Sequence, residues 1–252
     1  MSVHKRLMII ITLIMVFGTA SNFAAEQDLE AGIAAVEKED YMTAYQVFKV
    51  LAAEGNAEAQ HNLAILYRQG KGVMQDSKLA AEWFQKAADQ GVASAQYYMG
   101  HIYDVGEGVE KNPKLAAQWY KKGAENGDPL AQVNLGVSYA NGEGVKQDVV
   151  LAYIWFSLAA SQGMTTALEN RSLLKKDMSE ELVQNAQRLT REYFSRYVAP
   201  FQPPSNPRFG GSHPRIQGGH DSIRSAPAAT SSGSAPATGQ LPPAHGGGDH
   251  NH

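Results

Sequence analysis

The chain has 252 residues, 43% of them hydrophobic, with a formal net charge of −3 at pH 7 and no cysteine. That length allows one or two domains with a real core, and the lack of thiols excludes a disulfide framework, a thiolate metal site and cysteine-based catalysis. Acidic and basic residues are interspersed, so nucleic acid and anionic lipid, which both call for basic patches, are not expected partners.

The first segment, "MSVHKRLMIIITLIMVFGTASNFAA", has a basic start (His4, Lys5, Arg6), an apolar run from Leu7 to Phe17 and then small residues. This is the pattern of a secretory signal peptide over residues 1–25, with cleavage after Ala20, Ala24 or Ala25. The apolar run is eleven residues, short of the roughly 18 that span a bilayer. No cysteine follows it to carry a lipid. The expected location is periplasmic or secreted, without stable membrane insertion after cleavage.

Residues 26–54 predict a helical hairpin similar to a tetratricopeptide unit. Leu29, Ile33 and Val36 lie on one helix, Asp40 caps the next, and Ala44, Phe48, Leu51 and Ala52 form its apolar face. It reads as an N-terminal cap.

Residues 55–162 then fall into three consecutive 36-residue units that align without gaps, with eleven columns identical in all three. The first helix of each unit carries Ala59, Leu63, Ala64 and Tyr67, repeated as Ala95, Met99, Gly100, Tyr103 and Ala131, Leu135, Gly136, Tyr139. These spacings place one apolar face on a helix. Small residues in the column Ala64, Gly100, Gly136 predict close approach of a neighbour. The second helix carries Leu79, Ala80, Trp83 and Ala88 and their equivalents. Trp83, Trp119 and Trp155 are the expected wedges of the stack. Asp76, Asn112 and Asp148 are N-cap residues, as is Asp128 ahead of Pro129.

Each unit also contains a Gly-x-Gly loop: Gly70 and Gly72, Gly106 and Gly108, Gly142 and Gly144. A phosphate-binding loop would need a preceding strand, more glycine and a Lys-Ser/Thr ending, and none is present. The glycines are therefore expected to end one helix and turn the chain toward the next.

Residues 163–198 predict a C-terminal helical cap: a helix with Ala167 and Leu168, then a longer one capped by Ser179, with Leu182, Ala186, Leu189 and Tyr193 on one side. Its charged opposite face suits a terminal cap that meets water. From Ala199 the composition shifts. Residues 199–252 hold nine of the eleven prolines and five of the eight histidines, and such a Pro/Gly/Ser/His-rich tail is expected to be disordered.

The repeated phrase resembles the Sel1-like repeat family, relatives of the tetratricopeptide repeats. The residues that carry the resemblance are the Ala-x-Ala-Gln start (Ala57, Ala59, Gln60; Ala93, Ala95, Gln96), the Tyr column, the Gly-x-Gly-Val loop, the Asp/Asn cap and the second helix ending in Ala-Ala-x-x-Gly. What the resemblance implies is an all-α fold, a right-handed α-solenoid of antiparallel helix pairs, that binds other proteins. Family members act as adaptors in secretion, envelope signalling, polysaccharide export and motility. A monomer without cofactor is expected, and not an enzyme.

Ligands of such arrays usually lie along the inner surface lined by first helices. The columns that differ between copies there are expected to be exposed: His61, Tyr97, Val133; Asn62, Tyr98, Asn134; Ile65, His101, Val137; and Gln69, Val105, Asn141. The candidate partner-binding residues are His61, Asn62, Ile65, Tyr97, Tyr98, His101, Asn134 and Val137. Tyrosines packed against adjacent helices are the competing reading. A different class of function rests on the tail, where His245, Asp249, His250 and His252 could hold zinc, nickel or copper and make the chain a metal-binding or metal-responsive protein. A β-lactamase-like hydrolase is the third reading. "SLLK", Ser172 to Lys175, matches Ser-x-x-Lys, but no Ser-Asp-Asn or Lys-Thr-Gly accompanies it.

Overall fold

The computed structural model describes residues 28–202. Ten α-helices and no strand occur among them: α1 (28–37), α2 (Tyr41–Ala53), α3 (Ala57–Gln69), α4 (Ser77–Asp89), α5 (Ala93–Val105), α6 (Pro113–Glu125), α7 (Pro129–Asn141), α8 (Val149–Ser161), α9 (Thr165–Lys175) and α10 (Glu180–Tyr197). A 3-10 turn, Ala199–Phe201, follows. Helices pack in sequence, each pair against the next, as an α-solenoid with three repeats at α3–α4, α5–α6 and α7–α8. The expected signal peptide, residues 1–25, and residues 203–252 of the expected tail lie outside the described residues.

The caps form where the sequence places them. Asp40, Asp76, Asn112, Asp128, Asp148 and Ser179 each accept a hydrogen bond from a backbone N–H in the first turn of the following helix. Asn56 does the same for α3, bonding Ala59 N at 2.9 Å. Such a cap contributes about 1 kcal/mol.

Within each repeat the small column receives a ring from the second helix. A methyl group added at Gly100 would strike the Tyr120 ring, and one at Gly136 would strike Phe156. Ala64 and Phe84 are likewise fully buried in one cluster. The rings seated in the small column are thus Phe84, Tyr120 and Phe156, each at most 1% exposed, while of the expected tryptophan wedges Trp119 and Trp155 are also buried in the core. Trp83 is only partly buried and carries Lys86 Nζ 3.8 Å above its ring. The N-terminal hairpin uses the same lock, with Phe48 seated where a Gly32 side chain would be. It is a repeat with a shortened loop.

Between repeats a second device operates. Gln60, Gln96 and Gln132, one of the identical columns, donate to Ala52 O, Ala88 O and Ala124 O of the preceding second helix at 3.1, 3.1 and 3.2 Å. Their own carbonyls accept from Gln90, Asn126 and Gln162 at the end of the following second helix, at 2.8, 2.9 and 2.9 Å. Each glutamine therefore ties three successive helices together. A buried amide so fully used is the reason this column does not vary.

In the loops, the first glycine of each pair ends a first helix in the left-handed conformation, with φ of 66°, 81° and 74°. The second does more than turn the chain. A side chain at Gly72 would collide with the Tyr41 carbonyl, and one at Gly144 with that of Pro113. The loop thus seats directly on the first turn of the previous repeat's second helix.

The C-terminal region departs from a simple terminal cap. The helix α9 continues the stack beyond α8, but α10 folds back over α8 and reaches α6. Its Leu189 and Tyr193, with Val198, join the cluster that holds Trp119 and Trp155. Trp155 meets Tyr193 and Tyr197 at 5.6 and 5.5 Å between ring centroids. The expected boundary at Ala199 also moves: Ala199–Phe201 is a 3-10 turn, and Phe201 occupies the space beside Gly127.

Candidate partner-binding surface

The first helices are enclosed on several sides. The helix α5 packs against α4, α6 and α7, and the same small columns and glycine loops that permit this close approach leave little of it facing water. The expected exposure is accordingly not observed in three of the four variable columns. His61, Asn62, Ile65, Tyr97, Tyr98, His101, Asn134 and Val137 are all buried, none more than 8% exposed. Val133 is 0% exposed.

Five of the eight come together between repeats one and two. Tyr98 stacks on Phe84 with centroids 4.5 Å apart and lies 5.7 Å from His61 and 5.2 Å from Tyr97. Tyr97 also meets His101 at 6.5 Å and Tyr120 at 6.1 Å. Ile65 belongs to the same cluster. Val137 does not; it packs in a separate cluster with Val133 and Phe156. Asn134 donates to Leu130 O on its own helix at 2.9 Å.

A polar rim closes this cluster toward solvent. Arg68 Nε donates to both carboxylate oxygens of Glu107, at 3.1 and 3.0 Å, and its guanidinium lies 5.5 Å from the Tyr98 ring centre. Ser77 Oγ donates to the same carboxylate at 3.3 Å. His101 Nδ1 is 3.9 Å from it. Burial, aided by Arg68, holds His101 below its usual pKa, against the upward pull of Glu107 and Asp104. Burial raises Tyr98. The rim joins repeat one to repeat two through a charge-assisted contact in which one N–H is shared between two carboxylate oxygens.

What remains accessible is the far end of each first helix. Val105 is 54% exposed, and its equivalents Gln69 and Asn141 are partly exposed. Beside them lie Arg68, Glu107 and Glu143, the last accepting from Asn141 Nδ2 at 3.0 Å. Because these positions recur every 36 residues, they form a row along one edge of the stack. Arg68 and Glu107 were not singled out from the sequence; an Arg and a Glu in adjacent copies, near the loops, were the available signal.

Among the described residues no three His, Cys, Asp or Glu side chains gather to hold a metal ion. His245, Asp249, His250 and His252 lie outside those residues. None of the described helices is long and apolar enough to cross a membrane.

Residues 57–92, 93–128 and 129–164 each match the Sel1 repeat family. Residues 57–164 are thus three consecutive Sel1 repeats. The matched Sel1 repeats begin two residues later than the 55–162 division drawn from the sequence, an arbitrary phase in a periodic chain. A similar solved structure is a protective antigen present in uropathogenic Escherichia coli strains displaying an SLR fold, 27% identical, with a TM-score of 0.51. The match covers 74% of this chain and 50% of that one, so the chain spans about half the length of that relative. A Sel1 repeat protein from Oxalobacter formigenes is 38% identical over 50% of this chain and 94% of its own, with a TM-score of 0.47. No curated protein matches significantly. Sel1-repeat proteins are protein-interaction scaffolds and generally not enzymes.

Proposed function

We propose that this Sel1-repeat chain is an exported scaffold or adaptor of the cell envelope that binds a protein partner along the row of first-helix ends. The observation that carries the reading is chemical: the accessible row presents a different residue in each copy, Gln69, Val105 and Asn141, on one rigid edge. A partner segment lying along it would meet an amide, an apolar spot and a second amide, flanked by the Arg68–Glu107 pair. Export is supported by the basic, apolar and small-residue order of residues 1–25. The similar Escherichia coli protein is a protective antigen, which also favours a location beyond the cytoplasm.

Crosslinking capture from an envelope fraction tests the proposal, using the intact chain beside a triple variant Gln69→Arg, Val105→Asp and Asn141→Arg. The variant is expected to keep its helical content and lose the crosslinked species. Capture of the same species by both proteins would contradict the assignment of the row. Fractionation of the expressing cells checks export: retention of the full-length chain in the cytoplasm would contradict it.

A further inference from the structure

The fold-back of α10 creates a cleft of about 540 Å³ between α8, α9 and α10, within the range of volumes that hold ligands. Three cations line it, Arg171 and Lys175 from α9 and Arg191 from α10, and no acidic residue does. None of the three forms an ion pair among the described residues. Arg171 instead lies 5.9 Å from the centre of the Tyr153 ring. The neighbouring arginine on α10, Arg188, is by contrast paired with Glu192 at 2.8 Å. In a chain of net charge −3, three cations gathered without a carboxylate are a concentration of positive charge that an anionic ligand would neutralise.

The hydroxyls of the same cleft narrow the class of ligand. Ser157, Ser172 and Thr190 line it, and each donates its hydrogen to a carbonyl one turn earlier on its own helix: Tyr153 O, Leu168 O and Ala186 O, all at 2.8 Å. Their donors are committed, so what they offer a ligand is lone pairs. A complementary ligand therefore carries carboxylates for the cations and N–H groups for the hydroxyl oxygens. A fully deprotonated inorganic anion such as sulfate supplies negative charge but no donor. A peptide with acidic side chains supplies both, its main chain providing the donors.

We infer that the cleft between α8, α9 and α10 binds an acidic peptide segment of the partner, with Arg171, Lys175 and Arg191 holding its carboxylates and Ser157, Ser172 and Thr190 accepting from its main chain. The inference rests on the protein-binding reading above and adds a second contact, distant in sequence from the first-helix row.

Fluorescence anisotropy with a labelled hexapeptide of alternating Glu and Asp tests it on the full chain. Binding is expected to weaken as salt rises from about 50 to about 200 mM, since exposed charges are screened. A hexaglutamine peptide should not bind. Arg171→Gln with Arg191→Gln should weaken binding about tenfold, the size of loss expected when two solvent-exposed ion pairs go, and Lys175→Gln alone should weaken it less. Arg188→Gln, the same charge change on α10 outside the cleft, should leave it unchanged. Backbone N-methylation of the peptide should weaken binding further. Equal binding by the double variant and Arg188→Gln would overturn the cleft, as would no binding at all. Displacement by sulfate as effective as by unlabelled peptide would overturn the peptide class, leaving a simple anion site. If these fail while the first-helix row still captures its partner from the envelope, the cleft is wrong and the scaffold reading stands.

Discussion

Gln96 and Tyr97 are adjacent on the same helix and both are 5% exposed, yet the first belongs to a column identical in all three repeats and the second to one that reads His61, Tyr97, Val133. The glutamine column is fixed because its partners are backbone carbonyls and helix ends, which recur identically at every junction. The tyrosine column varies because its partners are side chains that also vary. Around Tyr97 stand Tyr98, His101 and Tyr120; around Val133 stand Val137, Tyr153 and Phe156. Variation between copies of a repeat therefore marks either a free surface or a junction repacked as a set.

The largest expected effect comes from the variable side of this comparison. Tyr98→Ala removes a ring stacked on Phe84 in a buried junction, which should cost about 3 kcal/mol in urea unfolding. Were the column a free surface, the change would stay within about 0.5 kcal/mol. On the identical side, Gln96→Leu leaves Ala88 O and Asn126 Nδ2 without their partner. About 2 kcal/mol should be lost, and Gln60→Leu and Gln132→Leu should lose similar amounts if the junctions are equivalent. Unequal losses would show that the shared column does not do the same task in each copy.

A smaller effect follows from His101. The folded chain holds its pKa below the ordinary 6.5, so as pH falls through 6.5 the unfolded chain takes up a proton before the folded chain does. The contribution to stability is complete above 6.5 and is lost as pH falls toward the folded value. Replacing His101 with Gln should remove this portion of the pH dependence. The gap in denaturation midpoint between wild type and variant should be wider near pH 7.5 than near pH 5.5. A gap independent of pH would contradict the buried, neutral histidine.

Much of the fold was legible in the sequence because it depends on local chemistry. Asp76, Asn112, Asp148 and Ser179 cap the helices that their side chains predict, and Gly70 and Gly106 end theirs in the left-handed conformation. The second set of buried rings, Phe84, Tyr120 and Phe156, was less legible than the tryptophans because that column varies in its ring while the Trp83 column is identical. That the small column Ala64, Gly100, Gly136 needs a large partner was the clue. The candidate site was less legible. Burial of His61, Tyr97 and Val133 depends on how many neighbours surround a first helix, a tertiary property that helical periodicity alone does not report. The return of α10 was equally hidden, although Tyr193 and Tyr197, one turn apart on an otherwise charged helix, are the residues that cover Trp155.

The absence of cysteine permits a direct test of where the variable columns face. Single cysteines at Val105 and Val137, 54% and 1% exposed, would be labelled with a maleimide under native conditions. Val105→Cys should react at the rate of a free thiol, and Val137→Cys at least about 100-fold more slowly, limited by opening of the structure. Comparable rates at the two positions would contradict the account, because the variable columns would then be the free inner surface of the stack.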